Sequence, residues 1–437
     1  MMHELTASDA AARIRAGELT SESLVSACLA RIGVREADVG AWQYIDPDLA
    51  IEQARAADRS QSRGPLHGVP IGVKDIIDTV DMPTTLGSAI YAARRPQWDA
   101  ACVAAARAAG AIVLGKTVTT EFAYFQPGKT RNPHGSRHTP GGSSSGSAAA
   151  VADFMVPLAF GSQTAASVIR PAAFCGVFGY KASFGELSLS GIRPFAESLD
   201  TLGILARSVA DIALLRGVLL GATDRAQLMP LPAPPKLGVC RTAQWALAEP
   251  CTRIAVEAGA ESLRRAGARV SDVALPEHFA ALIDAQKTIM AYEAAHNYIF
   301  ETTRFADRLS GPFRALTDAG WRISRESYLD AKRAVAVASA ELGSIVEDYD
   351  ALITPATIGE APLAETGTGD PVMSRMWTAL HVPSLAVPIG KGPQGLPVGV
   401  QLIATPGADE LLLRVGQWAS QAVAATRAQA IRPTPNS

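Results

Sequence analysis

Pro140-Gly-Gly-Ser-Ser-Ser-Gly-Ser-Ala-Ala-Ala-Val151, followed by Gly161-Ser-Gln-Thr-Ala-Ala-Ser-Val-Ile-Arg-Pro171, decides how this chain is read. The first stretch opens as a Gly/Ser loop and becomes an apolar, Ala-rich helix from Ala148. Met155 to Phe160 reads as the next strand. A formal GxSxG lies inside it, Gly142 to Gly146 with Ser144 at the centre. In an α/β-hydrolase that serine sits on a strand-to-helix elbow and needs a later acid and histidine. His138-Thr139-Pro140-Gly141 does not read as a strand, and His278, His296 and His381 have no distinctive context. The elbow reading therefore fails.

Outward from these loops the chain alternates. On the N-terminal side, Thr6 to Val34 reads as two amphipathic helices and Ala50 to Asp58 as a third. The apolar run Val69 to Val73 suits a strand leading into Lys74. Ala100 to Ala109 is a helix stopped by Gly110, and Ala111 to Leu114 is a short buried strand. Beyond the loops, Leu237 to Cys240, Arg269 to Val273, Ala351 to Ile353 and Val398 to Ile403 read as strands, with a helix over Arg253 to Ala266. Strands alternating with helices predict an α/β architecture with helices on both sheet faces. Met229 to Pro235 reads as a surface connection. Gly110-Ala-Ile-Val-Leu-Gly115-Lys116-Thr117 matches the P-loop pattern in form. A P-loop needs a flexible turn between its glycines, and Ala-Ile-Val-Leu favours a strand, so Lys116 is expected at a strand end rather than on phosphate.

Composition narrows the function classes. The chain has 437 residues, of which 48% are hydrophobic and 19% charged, enough apolar material for a large core and too much for disorder. A net charge of −2 without a basic stripe argues against nucleic acid. The N-terminus lacks the basic and apolar regions of a signal peptide. The most apolar stretch, Ala148 to Phe160, is interrupted by Asp153 and too short to span a bilayer. The expectation is a cytoplasmic protein without a membrane partner. The five cysteines are scattered with no CxxC pair, so neither a zinc site nor a disulfide framework is expected. Only eight lysines occur. One of them, Lys74 in Gly68-Val-Pro-Ile-Gly-Val-Lys-Asp-Ile-Ile-Asp-Thr79, lies in an apolar setting with Asp75 and Asp78 as its only charged neighbours.

Lys74, the Gly/Ser loop and the Ser167 stretch with Phe174-Cys-Gly-Val-Phe-Gly-Tyr-Lys181 form an ordered set. In this set the sequence resembles the amidase signature family of Ser–Ser–Lys hydrolases. The likeness extends over Ala41 to Asp58, Ser198-Leu-Asp-Thr-Leu-Gly-Ile-Leu-Ala-Arg-Ser-Val-Ala-Asp211, Ala351-Leu-Ile-Thr-Pro355 and Gly395-Leu-Pro-Val-Gly-Val-Gln-Leu402. It implies one catalytic domain over 1–437 built on a mixed central sheet, with 279–348 as a variable helical insertion.

The resemblance also implies a site. Lys74 is the base and Ser143, after a cis Gly142–Ser143 peptide, the relay. Ser167 is the nucleophile that forms an acyl-enzyme. Backbone N–H groups of Thr164, Ala165 and Ala166 form the oxyanion hole. The base must be neutral, which burial among apolar groups favours. The family's usual Gly-Gly before the nucleophile is Ala165-Ala166 here, and many members carry the arginine two positions past the serine, where Arg170 lies three past. Arg170 is read either as a carboxylate anchor or as a structural arginine. Thr85, Leu86 and Gln126 are expected to line the substrate pocket, with Tyr124 and Phe125 beside Gln126.

The implied function is metal-independent hydrolysis of a small or aryl amide, with no cofactor. A carbamate (urethane) or ester is an alternative substrate on the same site. A glutaminase-like subunit of a tRNA-dependent amidotransferase is another. A homodimer is implied by the relatives. The residues leave the acyl group and the amine open.

Overall fold

The computed structural model describes residues 1–60, 64–222 and 228–431. Its centre is an 11-stranded mixed sheet with helices on both faces. The strands are β1 (Trp42–Ile45), β2 (Pro70–Lys74), β3 (Ile112–Thr117), β4 (Leu158–Gln163), β5 (Phe178–Lys181) and β6 (Thr201–Ala206). They continue with β7 (Lys236–Cys240), β8 (Arg269–Val273), β9 (Ala351–Pro355), β10 (Ser384–Lys391) and β11 (Pro397–Ile403). Their order across the sheet is β1-β3-β2-β4-β6-β5-β10-β11-β9-β7-β8. β2 runs parallel to β3 and β4, and β7 runs parallel to β8 and β9. The middle, from β4 through β6, β5, β10 and β11 to β9, is antiparallel.

The parallel strands β2, β3 and β4 are buried along their whole length. Strands covered on both faces read as continuous apolar runs, which is why their sequences announced them. β3 starts at Ile112 and runs to Thr117, so the P-loop match is a strand. A Cβ on Gly115 would lie 2.4 Å from the Tyr44 carbonyl, and this glycine serves close strand packing against β1.

The helix Ser145–Ala152 places the Gly/Ser loop. Seven of its residues, Ser145 to Val151, are buried. Ser, Gly and Ala expose so little side chain that a helix made of them can be enclosed on every side. Helices between 282 and 345, chiefly Leu282–Asn297, Gly311–Arg322 and Arg325–Ile345, pack on one another beside the site.

Candidate active site

Lys74 closes β2 with no exposure to solvent. Its Nζ lies 2.7 Å from Ser143 Oγ and 2.8 Å from Ser162 Oγ. Burial penalises the ammonium and lowers the pKa to about 7, while the negative charge of Asp200 acts in the opposite direction. Asp75, the adjacent carboxylate, is turned away. It accepts the Thr85 N–H at 3.0 Å and the Thr85 hydroxyl, and it pairs with Lys116 Nζ at 3.2 Å. Lys116 is thus occupied as the buried counter-charge of Asp75, and it also donates to Thr84 Oγ1 at 2.6 Å.

The Gly142–Ser143 peptide is cis. Both sides of it are held. The Gly142 carbonyl accepts Arg170 Nη2 at 2.7 Å, and the Ser143 carbonyl accepts the Thr120 N–H at 3.3 Å. Gly141 has a φ of +83°, and a Cβ there would meet Pro171 Cα at 2.8 Å, so the approach needs glycine.

Ser167 follows β4 and is nearly buried, at 8% exposure. Its carbonyl accepts the Ser144 N–H at 3.2 Å, which ties the two loops together. Gln163 Oε1 accepts the N–H groups of Val168 and Ile169 at 2.9 and 3.0 Å, closing the turn.

The three carbonyls before Ser167 are all engaged. Gln286 Nε2 donates to Thr164 O at 2.9 Å, Thr378 Oγ1 to Ala165 O at 2.7 Å, and the Arg170 N–H to Ala166 O at 2.9 Å. In a trans peptide the C=O and the following N–H point in opposite directions. The N–H groups of Ala165, Ala166 and Ser167 therefore face away from those partners, and among the described residues they donate to no protein acceptor. This row of donors shares Ala165 and Ala166 with the predicted trio and adds Ser167. The Thr164 hydroxyl goes instead to Asp200 Oδ1 at 2.5 Å. Neither alanine has a positive φ, so alanine is accommodated without the strain that a left-handed position would impose.

Ser143, Ser167, Thr164, Ala165, Ala166 and Arg170 line one small cavity with Tyr124 and Phe125. Phe195, Met290, Pro371 and Arg375 complete its wall. Arg170 is buried and donates to Gly369 O, Gly142 O and Thr368 Oγ1, and among the described residues no carboxylate is in ion-pair contact with it. Burial and the neighbouring Arg375 lower its pKa to about 9. Arg375 donates to Gln286 and likewise has its pKa lowered by burial.

Three predicted pocket residues lie elsewhere. Thr85 is spent on Asp75. Leu86 is buried at a φ of +58° and does not line the cavity. Gln126 is exposed, and its carbonyl accepts the Glu121 N–H. Ser162, Asp200, Phe195, Met290 and Arg375 were not singled out from sequence. Ser162 and Asp200 stood inside quoted motifs. Arg375 carried no signal, because nothing local tells which arginine a fold will bury beside a serine.

An amine of lowered pKa, two serines and a row of unpaired backbone donors thus meet at one place. The chain matches the Amidase family model over residues 23–413 and belongs to that family, whose members hydrolyse carbon–nitrogen bonds. It is 35% identical to a glutamyl-tRNA(Gln) amidotransferase subunit of Chloroflexus aggregans over 95% of this chain and 96% of that one. It is 30% identical to the native peptide amidase of Stenotrophomonas maltophilia, with a TM-score of 0.83 over 96% and 97% of the two chains. A structure of a vestigial protein complex tied to the origins of an s-triazine catabolic enzyme aligns at 29% identity and a TM-score of 0.87, covering 97% and 99%.

Proposed function

We propose that this chain cleaves a small amide through Lys74, Ser143 and Ser167, by way of an acyl-enzyme and without a metal. The observation that supports it is the fully buried Lys74, with a pKa of about 7, within 2.7 Å of Ser143 Oγ in the loop that shares a cavity with Ser167. Neutral Lys74 takes the Ser143 proton as Ser143 takes that of Ser167. Ser167 Oγ attacks the carbonyl, and the charge that develops meets the N–H groups of Ala165, Ala166 and Ser167. Such donors are each worth about 2.7–4 kcal/mol at the transition state. The proton returns through Ser143 to the leaving nitrogen, and water repeats the cycle. A carbamate or ester fits the same steps.

A second reading is a glutaminase-type subunit that works within a transamidation complex. The amidotransferase relatives favour it. So do Arg170 and Arg375, two buried guanidiniums without an ion-paired acid, which suit a substrate carboxylate such as that of glutamine.

One experiment separates the readings. The purified chain is assayed on anilides, primary amides, carbamates, esters and glutamine, alone and after co-expression with its genomic neighbours. Turnover by the chain alone is expected. Ser167→Ala should abolish it, and Lys74→Ala should lower it by roughly 10³-fold or more, with no loss on adding a chelator. Glutamine turnover only in a complex would establish the second reading. Full activity in Ser167→Ala would sink both.

A further inference from the structure

A second cavity, of about 140 Å³, abuts the catalytic one and shares Ala123, Thr164 and Phe195 with it. Its walls include Ile76, Leu189 and Ile192. It reaches Ser162, whose hydroxyl sits on Lys74. Most of its polar side chains are engaged by protein, and Arg193 Nε is buried without a hydrogen-bond partner. Asp200 accepts the Thr164 hydroxyl and the N–H groups of Phe195 and Ala196, the last two at 2.7 and 3.0 Å. Arg193 pairs with Glu301 at 2.8 Å and lies 4.7 Å from the centre of the Tyr298 ring. Thr201 Oγ1 donates to Gln163 O at 3.1 Å. Glu197, the remaining charged group, is exposed. On the side formed by Ile76, Leu189, Ile192 and Phe195 a ligand group therefore meets carbon surface, while the charges of Asp200 and Arg193 are already held by protein partners. By volume this suits a single ring, since an apolar cavity of about 150 Å³ holds benzene.

Resting on the reading of Ser167 as nucleophile, we infer that this chamber is the specificity pocket of the site and takes an uncharged group of single-ring or branched aliphatic size, carried on the substrate beside the scissile carbonyl. The substrate class is then an amide with such a group, rather than one with a charged or unsubstituted side arm.

The test compares inactivation of Ser167 by phenylmethanesulfonyl fluoride and methanesulfonyl fluoride. In both, Ser167 Oγ bonds to sulfur, fluoride leaves, and the proton passes through Ser143 to Lys74. The benzyl reagent is expected to react about tenfold faster or more. Leu189→Trp should fill the chamber and lower that rate ratio by a similar factor. Should Leu189→Trp fail to fold, Leu189→Ala takes its place, and its enlarged chamber should raise the rate of a naphthylmethyl reagent relative to the benzyl one. Labelling of Ser167 by both reagents with no preference, or a ratio untouched by either substitution, would overturn the pocket and leave the nucleophile standing. No labelling of Ser167 by either reagent would overturn the nucleophile and the pocket with it.

Discussion

Lys74 is where burial and charge oppose each other. Burial lowers its pKa to about 7 and the charge of Asp200 holds it up. The base is neutral above that pH and lost as the pH falls through it, so kcat/KM should drop on the acid side of about 7. Asp200→Asn removes the opposing charge; its Oδ1 can still accept the Phe195 and Ala196 N–H groups, and its Nδ2 then faces the Thr164 hydroxyl, which can turn to accept. The acid limb should then move to lower pH, and a limb that stays in place would disconnect Asp200 from the lysine. Asp200 itself is pushed up to about 6 by burial, against the hydrogen bonds it accepts. Its charge is therefore present where Lys74 begins to gain its proton and fades as the pH falls further. Lys74, Ser143 and Ser167 were picked out by the family resemblance of the loops that carry them, and the fold sets Lys74 beside Ser143 and both serines on one cavity. Thr85 was misplaced for a physical reason. Its neighbour in sequence is the lysine loop, but its nearest unsatisfied acceptor is Asp75, and the hydrogen bond decided where it points.

The helix Ser145–Ala152 sets Ser143 because it has almost no side chains to hold it off its neighbours. A Cβ on Gly146 would lie 2.2 Å from Ala41 O and 2.3 Å from Val118 N, both backbone atoms that cannot yield cheaply. Gly146→Ala should cost about 1–3 kcal/mol or more, read as a lower denaturation midpoint, with lower kcat in the surviving fold. An unchanged midpoint would mean that the helix is free to shift. The same closeness explains two of the four strands that did not show in the sequence. β5 and β6 carry Gly179 and Gly203, which break a strand pattern. A Cβ on Gly179 would meet Ala172 at 2.5 Å, and one on Gly203 would meet Val168 at 2.5 Å. The segment after the nucleophile lies so near the sheet that only glycine fits beneath it. β10 hides behind Pro388 and Gly390, where its register with β11 shifts. β1 is only four residues long. The parallel strands β2, β3 and β4, buried along their length, were legible within a few residues of their ends.

Across the whole chain, the helices between 282 and 345 join the sheet side of the site through aromatic packing. Phe313 is fully buried, with its ring centre 4.9 Å from that of Phe122, 5.0 Å from Tyr298 and 6.4 Å from Phe195. Phe313→Ala should cost about 3–5 kcal/mol and raise KM more than it lowers kcat, because Phe195 and Tyr124 lose their backing while Lys74 and the serines keep theirs. An equal loss in kcat would show that the ring also supports the triad. Among the described residues, no helix is long and apolar enough to cross a membrane. The cavity around Ser167 takes Ser143, Thr164, Ala165, Ala166, Ser167 and Arg170 from one stretch, whereas Met290, Pro371 and Arg375 close it from far down the chain. Part of the wall is thus written far from the serines. Drift there can retune what is accepted while the bond-breaking apparatus is inherited intact.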